Sequence, residues 1–482
     1  MQTLYWHDYE TWGVDPSIDR PCQFAGVRTD EDLNILGEPL QLFCRPAPDV
    51  LPTPEACLIT GISPQKALQE GLPEHQFIAR IHQELARAGT CGVGYNSLRF
   101  DDEVTRFTLF RNFYDPYERE WKNGCGRWDI IDMVRLCYAL RPNTLEWPLL
   151  DGKPSFKLEL LTQANNIDHG AAHDAYSDVA ATIALAKLIR ERQPQLYAYV
   201  YAHRHKNKAV ELIDLAQRKP VLHISSRFSA ENGCAGLMMP LCYHPLNKNA
   251  VIMVNLAEDP QDLISLDAEH IAERVFTAQA DLPEGRARIG LKAVHLNKCP
   301  ILITPKMLDA KTAKRLNIDR AKCEQHWQTL LAVNLVEKIQ RVFSLNGFAP
   351  REDPERRLYD GFISPADKRM ADAVRGATGQ QLQSRQFNFQ DLRLREILLR
   401  YKARNFPDIL TEVENSTWLE FCQGRLLNGD VGCLSIAQLK ERIRSVDETQ
   451  ILTKSQKIVL QQLYRYADDL AREHQLKPKC CL

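Results

Sequence analysis

No apolar run in this chain approaches the ~20 residues that a membrane-spanning helix needs. A helical membrane protein is therefore excluded, and no membrane partner is expected. The N-terminus has neither a basic lead nor a long apolar stretch, so no secretory signal is expected. Charge of one sign is lacking too: 61 basic and 62 acidic residues leave a net charge of −1. Binding a polyanion by bulk charge is excluded, and any groove for one must be local. None of the 14 cysteines forms a CxxC pair. They sit in apolar contexts such as Leu42-Phe43-Cys44 and Leu136-Cys137-Tyr138, which implies reduced, buried thiols in a cytoplasmic protein. The terminal Cys480-Cys481-Leu482 lacks the cysteine that a prenylation box requires and reads as a frayed end. Internal repeats and low-complexity segments are missing as well.

What is present is globular. A chain of 482 residues exceeds one core. Hydrophobic content of 44% and charged content of 26% are ordinary for folded domains. Residues 3–8, 22–28, 39–45 and 90–95 read as strands. Residues 79–88, 102–113, 129–140 and 174–191 read as helices, with Phe107, Phe110 and Phe113 at helical spacing. Strands followed by alternating strand and helix predict an α/β domain with a mixed sheet over 1–195. Short strand-like runs at 221–224, 250–254, 293–296 and 301–304 predict a β-rich domain with helical insertions over 196–349. Helical patterns, clearest at 392–401 and 456–472, predict a helical domain over 350–482.

Asp8 and Glu10, in Tyr5-Trp6-His7-Asp8-Tyr9-Glu10-Thr11-Trp12, are two residues apart and share a face of a strand. Two adjacent carboxylates repel, and a divalent cation removes that cost; oxygen ligands favour a hard ion such as Mg²⁺ or Mn²⁺. A polar strand face exposed to water is the plainer alternative. Gly94 permits a tight exit from the strand at 90–95. Of the next acids, Asp102 is placed to cap a helix and Asp101 to face a cleft, though both also fit a plain helix start. In His173-Asp174-Ala175-Tyr176-Ser177-Asp178, Asp174 reads as an N-cap, with Asp178 in the second turn and His173 on the lead-in. His169 and Asp174 share that spacing, but the later pair precedes a clean amphipathic helix. No chemistry is assigned to His7.

Together these residues resemble the DEDDh branch of 3′→5′ exonucleases, whose pattern is D-x-E-T, an Asn-containing stretch ending in Phe-Asp, then H-x-x-x-x-D. Here the matches are Asp8-Tyr9-Glu10-Thr11, Asn96 through Phe100-Asp101, and His173 through Asp178. Cys57-Leu58-Ile59-Thr60-Gly61-Ile62 is similar to the family's loop against the terminal nucleotide. Segments along nearly the whole chain, among them "GYNSLRFDDEVTR", "PSFKLELLTQAN", "VHLNKCPIL" and "LYDGFISPADKRM", resemble the bacterial exonuclease I family.

The resemblance implies a ribonuclease H-like mixed-sheet exonuclease domain, an SH3-like β domain and a C-terminal α-helical domain. It implies degradation of single-stranded DNA to 5′-mononucleotides by two-metal hydrolysis, in DNA repair and recombination. Asp8, Glu10, Asp101 and Asp178 would hold two Mg²⁺ ions, with Mn²⁺ able to substitute, and His173 would serve as general base. The Phe-Asp pattern selects Asp101 over Asp102. Glu10 and Thr11 would touch the terminal nucleotide, and Arg141, Lys157 and Tyr199 the DNA; the family usually has arginine where Lys157 stands. Arg141 as a helix cap and Tyr199 as a core residue are the alternatives. Residues 203–208, "HRHKNK", read as a DNA-tracking ridge or a solvated helix face. The acidic C-terminal tail of a single-strand-binding protein is the implied partner, with Lys311, Lys314, Arg315 and Arg320 as candidate contacts. A monomer is expected. A related exoribonuclease and a catalytically dead scaffold remain the competing readings; the former's small relatives lack the two extra domains.

Overall fold

Thr3, Tyr5 and Trp6 favour extended backbone, and the chain opens on strand β1 (Thr3–Thr11). Strands β2 (Pro21–Thr29) and β3 (Leu40–Phe43) follow, then helices α1 (Pro54–Thr60), α2 (Pro64–Glu70) and α3 (Glu74–Leu85). Next come β4 (Thr90–Gly94), α4 (Asp101–Arg111), β5 (Gly126–Asp129) and α5 (Ile131–Leu140). A small hairpin of β6 (Leu149–Leu150) and β7 (Lys153–Pro154) precedes α6 (Leu158–Ala164) and α7 (Ala175–Arg192). Helices α8 (Pro194–Ala202) and α9 (Lys206–Glu211) lead to β8 (Val221–Ile224), β9 (Ala235–Tyr243), β10 (Ala250–Asn255), β11 (Leu291–His295) and β12 (Ile301–Ile303). Helices dominate the C-terminal part, among them Pro365–Arg375, Leu392–Asn405, Glu412–Gln423, Ile436–Thr449 and Lys454–Glu473. This computed structural model describes residues 2–170, 173–345, 347 and 351–474. The terminal cysteine pair lies outside them. The described cysteines are free thiols, buried except for Cys299, and no described helix is long and apolar enough to cross a membrane.

The protein divides into two compact units: Met1–Gly126 with Gly170–Ala180 and Pro350–Leu482, and Arg127–His169 with Ala181–Ala349. In the first, the strand order runs β3-β2-β1-β4. β1 pairs antiparallel with β2 from Leu4↔Thr29 through Glu10↔Gln23, and parallel with β4 only from Thr3↔Thr90 to Trp6↔Val93. β1 then runs on to Thr11. One face of this sheet buries Tyr5, Tyr9 and Phe24 against Phe77, Ile78 and Ile81 of α3 and Val104 and Leu109 of α4.

The C-terminal helices complete the first unit rather than merely following it. Trp12, Cys22, Leu51 and Ile62 share one apolar cluster with Trp418, Leu439 and Leu463. Phe107, Phe110 and Phe113 pack with Val374, Phe389 and Ile397. The same unit holds a buried ionic network. Asp49 accepts from Arg404 Nε and Nη2 and from Arg425 Nη1, each at 2.8 Å. Glu355 accepts from Arg20 at 2.8 Å, and Asp353 from Arg400 at 2.8 Å and Arg425 at 2.6 Å. Charges this deep are tolerable only when paired and hydrogen-bonded.

In the second unit, an antiparallel sheet has the order β11-β10-β9-β8-β12. Its central strand β9 is missing from the sequence reading because Pro240 argues against a central strand. The register shifts between Ile252 and Met253, opposite Cys242 and Pro240. That bulge accommodates the proline's missing N–H.

Replacing Asp49 by alanine leaves Arg404 and Arg425 buried without their carboxylate. The expected loss is about 3–5 kcal/mol, measured by urea unfolding followed by far-ultraviolet circular dichroism. A loss below about 1 kcal/mol, the scale of an exposed pair, would contradict the role given to this network.

Candidate active site

Alternation along β1 sorts its side chains. His7 and Tyr9 turn into the aromatic core; His7 stacks on Phe24 at 6.1 Å and meets Tyr9 edge-on at 6.2 Å. Burial and then nearby Arg119 hold the His7 imidazole down at about 4, so it stays neutral as a core residue. Asp8 and Glu10 emerge half-buried on the other face.

Beyond Trp6 the edge of β1 has no partner in β4, and the Tyr9 N–H needs an acceptor. Asp101 provides it, with Oδ1 at 3.0 Å. The route from β4 to Asp101 is tight: a Cβ on Gly94 would lie 2.6 Å from Ser97 Cβ, and Asn96 turns the chain at φ 59°. Asp102 does not cap α4 as the sequence reading expected. It forms a buried ion pair with Arg119 at 2.5 Å. The two neighbouring acids thus have different work, and Asp101 is the one beside Asp8.

The start of α7 supplies the remaining groups. Asp174 caps the helix as expected, accepting from the Ser177 N–H at 3.2 Å. His173, exposed and at φ 65°, precedes it. Glu10, His173 and Asp178 place one ligand atom each within 4.8 Å of one another. His173, on the lead-in rather than on the helix, thus comes within ligand reach of Asp178, its backbone in the left-handed region.

Electrostatics mark the site. Burial first, then Asp101, Glu10, Asp178 and Asp174, push the Asp8 carboxyl well above its usual range. Burial, Asp178, Asp101 and Asp174 push Glu10 up to about 8. Mutually repelling oxygen ligands with an imidazole beside them suit hard divalent cations, so the donor set fits the implied metal. Asp174, which the sequence places as a cap and sets aside with His169 as the less favoured pair, belongs to this field as well.

The other expected residues stand as follows. The Thr11 hydroxyl donates to Gly13 O at 2.6 Å. Arg141 ends α5 and donates to Leu140 O at 2.8 Å, the capping alternative. The Tyr199 hydroxyl donates to Leu302 O at 2.9 Å while its ring stacks on His203. Lys157 precedes α6 with its side chain 61% exposed. In "HRHKNK", Arg204 is buried over the Tyr201 ring, Lys206 donates to Asn249, and Lys208 pairs with Glu211. That arrangement favours a solvated helix over a tracking ridge. Arg315 donates to the Tyr138 and Ala139 carbonyls at the end of α5, and it is exposed, as are Lys311, Lys314 and Arg320. Cys57–Thr60 is not a loop but the last turn of α1; Cys57 and Ile62 are buried and Ile59 is 57% exposed.

Three family models match the chain: Exonuclease over residues 5–186, Exonuclease I SH3-like domain over 204–345 and Exonuclease I C-terminal domain over 352–470. The chain belongs to the exonuclease I family. Exodeoxyribonuclease I of Escherichia coli is 46% identical over 87% of this chain and 89% of that protein. For exodeoxyribonuclease I of Haemophilus influenzae the figures are 41%, 96% and 98%. Among solved structures, exonuclease I from Methylocaldum szegediense has a TM-score of 0.93 at 47% identity, covering 98% of this chain and 100% of that one. Escherichia coli exonuclease I in complex with a dA16 oligonucleotide has 0.92 at 42%, with the same coverage. The exonuclease I family thus accounts for all three sequence textures, including the mixed α/β fold.

Because Glu10 holds its proton more tightly folded than unfolded, the metal-free protein loses stability as pH rises from 4.5 toward about 8. Divalent cations favour the ionised form, so their stabilisation grows across that window. Thermal midpoints with and without Mg²⁺ should diverge as pH rises. A constant offset would contradict the raised carboxylates.

Proposed function

We propose that this chain shortens single-stranded DNA from its 3′ end, releasing 5′-mononucleotides, as part of DNA repair and recombination. It is an exodeoxyribonuclease of the exonuclease I family, dependent on divalent metal. One observation carries the reading: Asp8, Glu10, Asp101 and Asp178 share one electrostatic field at the end of β1, with His173 within ligand reach of two of them. We take the metal to be Mg²⁺, two ions, with Mn²⁺ able to substitute. Bound there, they would supply an activated water and neutralise charge on the leaving oxygen.

The residues divide the remaining work. Asp8, Glu10, Asp101 and Asp178 offer carboxylate oxygens. His173, exposed on its turn, takes the proton of the attacking water at an imidazole nitrogen. Attack at phosphorus breaks the bond to the 3′ oxygen of the penultimate nucleotide. The shortened strand keeps a 3′ hydroxyl, and the terminal nucleotide leaves with the phosphate. The Glu10 carboxylate and the Thr11 backbone contact that nucleotide. Lys157 has the exposed charge to meet a phosphate, and Tyr199 offers its ring, its hydroxyl being engaged. Arg141 contributes through the part of its guanidinium not bound to Leu140. We assign residues 1–195, 196–349 and 350–482 to the nuclease, SH3-like and helical domains. A monomer in the cytoplasm completes the reading, supported by the free thiols.

Single-stranded DNA labelled at its 5′ end should shorten progressively with Mg²⁺. Asp178→Ala should abolish this, and His173→Ala should slow it by roughly 10²–10⁴-fold. Label lost first from the 5′ end, or an active Asp8→Ala protein, would overturn the assignment. We further propose the acidic tail of single-strand-binding protein as a partner for Lys311, Lys314, Arg315 and Arg320. A tail peptide should retain the wild-type chain at low salt and lose it when Lys311, Lys314 and Arg320 become glutamate. Equal retention would remove these residues from the contact.

A further inference from the structure

Gln23 lies on β2 as the cross-strand partner of Glu10, and it is buried. Its side-chain amide reaches the start of α7 at two points. Nε2 donates to Asp174 Oδ1 at 2.9 Å, and Oε1 accepts from the Ala175 N–H at 3.4 Å. The amide's orientation follows from its partners: the Ala175 N–H only donates, so Oε1 must face it and the NH₂ group faces Asp174. The other Asp174 oxygen accepts from the Ser177 N–H and hydroxyl at 3.2 and 3.3 Å, and the Asp174 carbonyl accepts from the Asp178 N–H at 3.1 Å. A short chain of hydrogen bonds therefore runs from the neighbour of Glu10 into the turn that carries Asp178, with His173 just before it.

This contact meets a specific difficulty. The first turn of α7 brings Asp174 and Asp178 toward a strand already carrying Asp8 and Glu10. Like charges oppose that approach. A cationic tether would neutralise the carboxylates that the site needs for metal. A neutral amide holds the helix without competing for the ions.

We propose that Gln23 is a positioning residue, docking the start of α7 on the sheet and so setting where Asp178 and His173 stand relative to Asp8 and Glu10. The proposal rests on the metal-dependent exonuclease reading above. Gln23 touches neither substrate nor metal in it; it acts through Asp174 and the backbone of Ala175.

Gln23→Glu turns the donor facing Asp174 into an acceptor and places two carboxylates in contact. Adding Asp174→Asn restores the bonds with the roles exchanged. The amide NH₂ introduced on α7 donates to the carboxylate introduced on β2, and the amide oxygen still accepts from Ser177. The second oxygen of the new carboxylate accepts from the Ala175 N–H. In steady-state digestion of single-stranded DNA, Gln23→Glu should lower kcat roughly 10- to 100-fold while KM stays within about twofold. Calorimetric titration with Mn²⁺ alone, without DNA, should show affinity falling by a similar factor of roughly 10–100. The double variant should recover both. Should Gln23→Glu fail to fold, Gln23→Met, which keeps the length and loses both bonds, should show the same two losses with no recovery from Asp174→Asn. Wild-type kcat and Mn²⁺ affinity in the folded single variant would overturn the proposal, as would a folded double variant that recovers neither. A wild-type chain that binds Mn²⁺ yet leaves DNA intact would instead overturn the exonuclease reading.

Discussion

Strand β1 outlasts its parallel neighbour, and the site is a consequence of that mismatch. Pairing with β4 stops at Trp6, yet pairing with β2 continues through Glu10. A buried edge with unclaimed N–H groups is costly. The chain meets the demand at Tyr9 with a side chain, and the side chain is an acid. Asp101 is thereby held beside Asp8 by the same hydrogen bond that finishes the sheet. The neighbouring Asp102 fixes the first turn of α4 through Arg119. The rest of the site comes to this edge from α7.

The first unit treats its buried acids in two opposite ways. Around Asp49, Asp353 and Glu355, arginines from several parts of the chain pair with the carboxylates, and their charged neighbours hold Asp49 and Glu355 well below the usual range. Around Asp8 and Glu10 the nearest charges are other acids, and both carboxyls are pushed upward. Residue types are the same; only the neighbours differ. An acid cluster answered by arginine is structure, and one whose members push each other's carboxyls upward suits an ion from solution.

Much of this was legible in the sequence, for physical reasons that can be named. Asp8 and Glu10 were readable because a strand's period of two puts them on one face. Asp174 was readable as a cap because Ser177 stands where its N–H must be satisfied. The spacing of Phe107 and Phe110 announced a helix, which ends at Arg111 short of Phe113 at φ 65°, and nothing local said that the C-terminal helices would cover all three. Pro240 hid β9, since the bulge that permits it depends on β10, later in the chain. Asp102 was misjudged for a related reason: its partner, Arg119, is tertiary. Gln23 carried no signal at all, because a lone amide acquires meaning only when α7 arrives beside it.

The shared apolar cluster of Trp12 with Trp418 and Leu463 has a consequence for how the chain is made. The ribosome produces the strand that carries Asp8 and Glu10 before the helices that bury its far end. At roughly 5–20 residues per second, the early strands wait tens of seconds for their final packing partners. During that interval Trp12, Cys22 and Leu51 lack the helices that cover them. The strand that carries Asp8 and Glu10 is thus made well before the helices that enclose its far end. Order of translation and order of burial run in opposite directions along this nuclease.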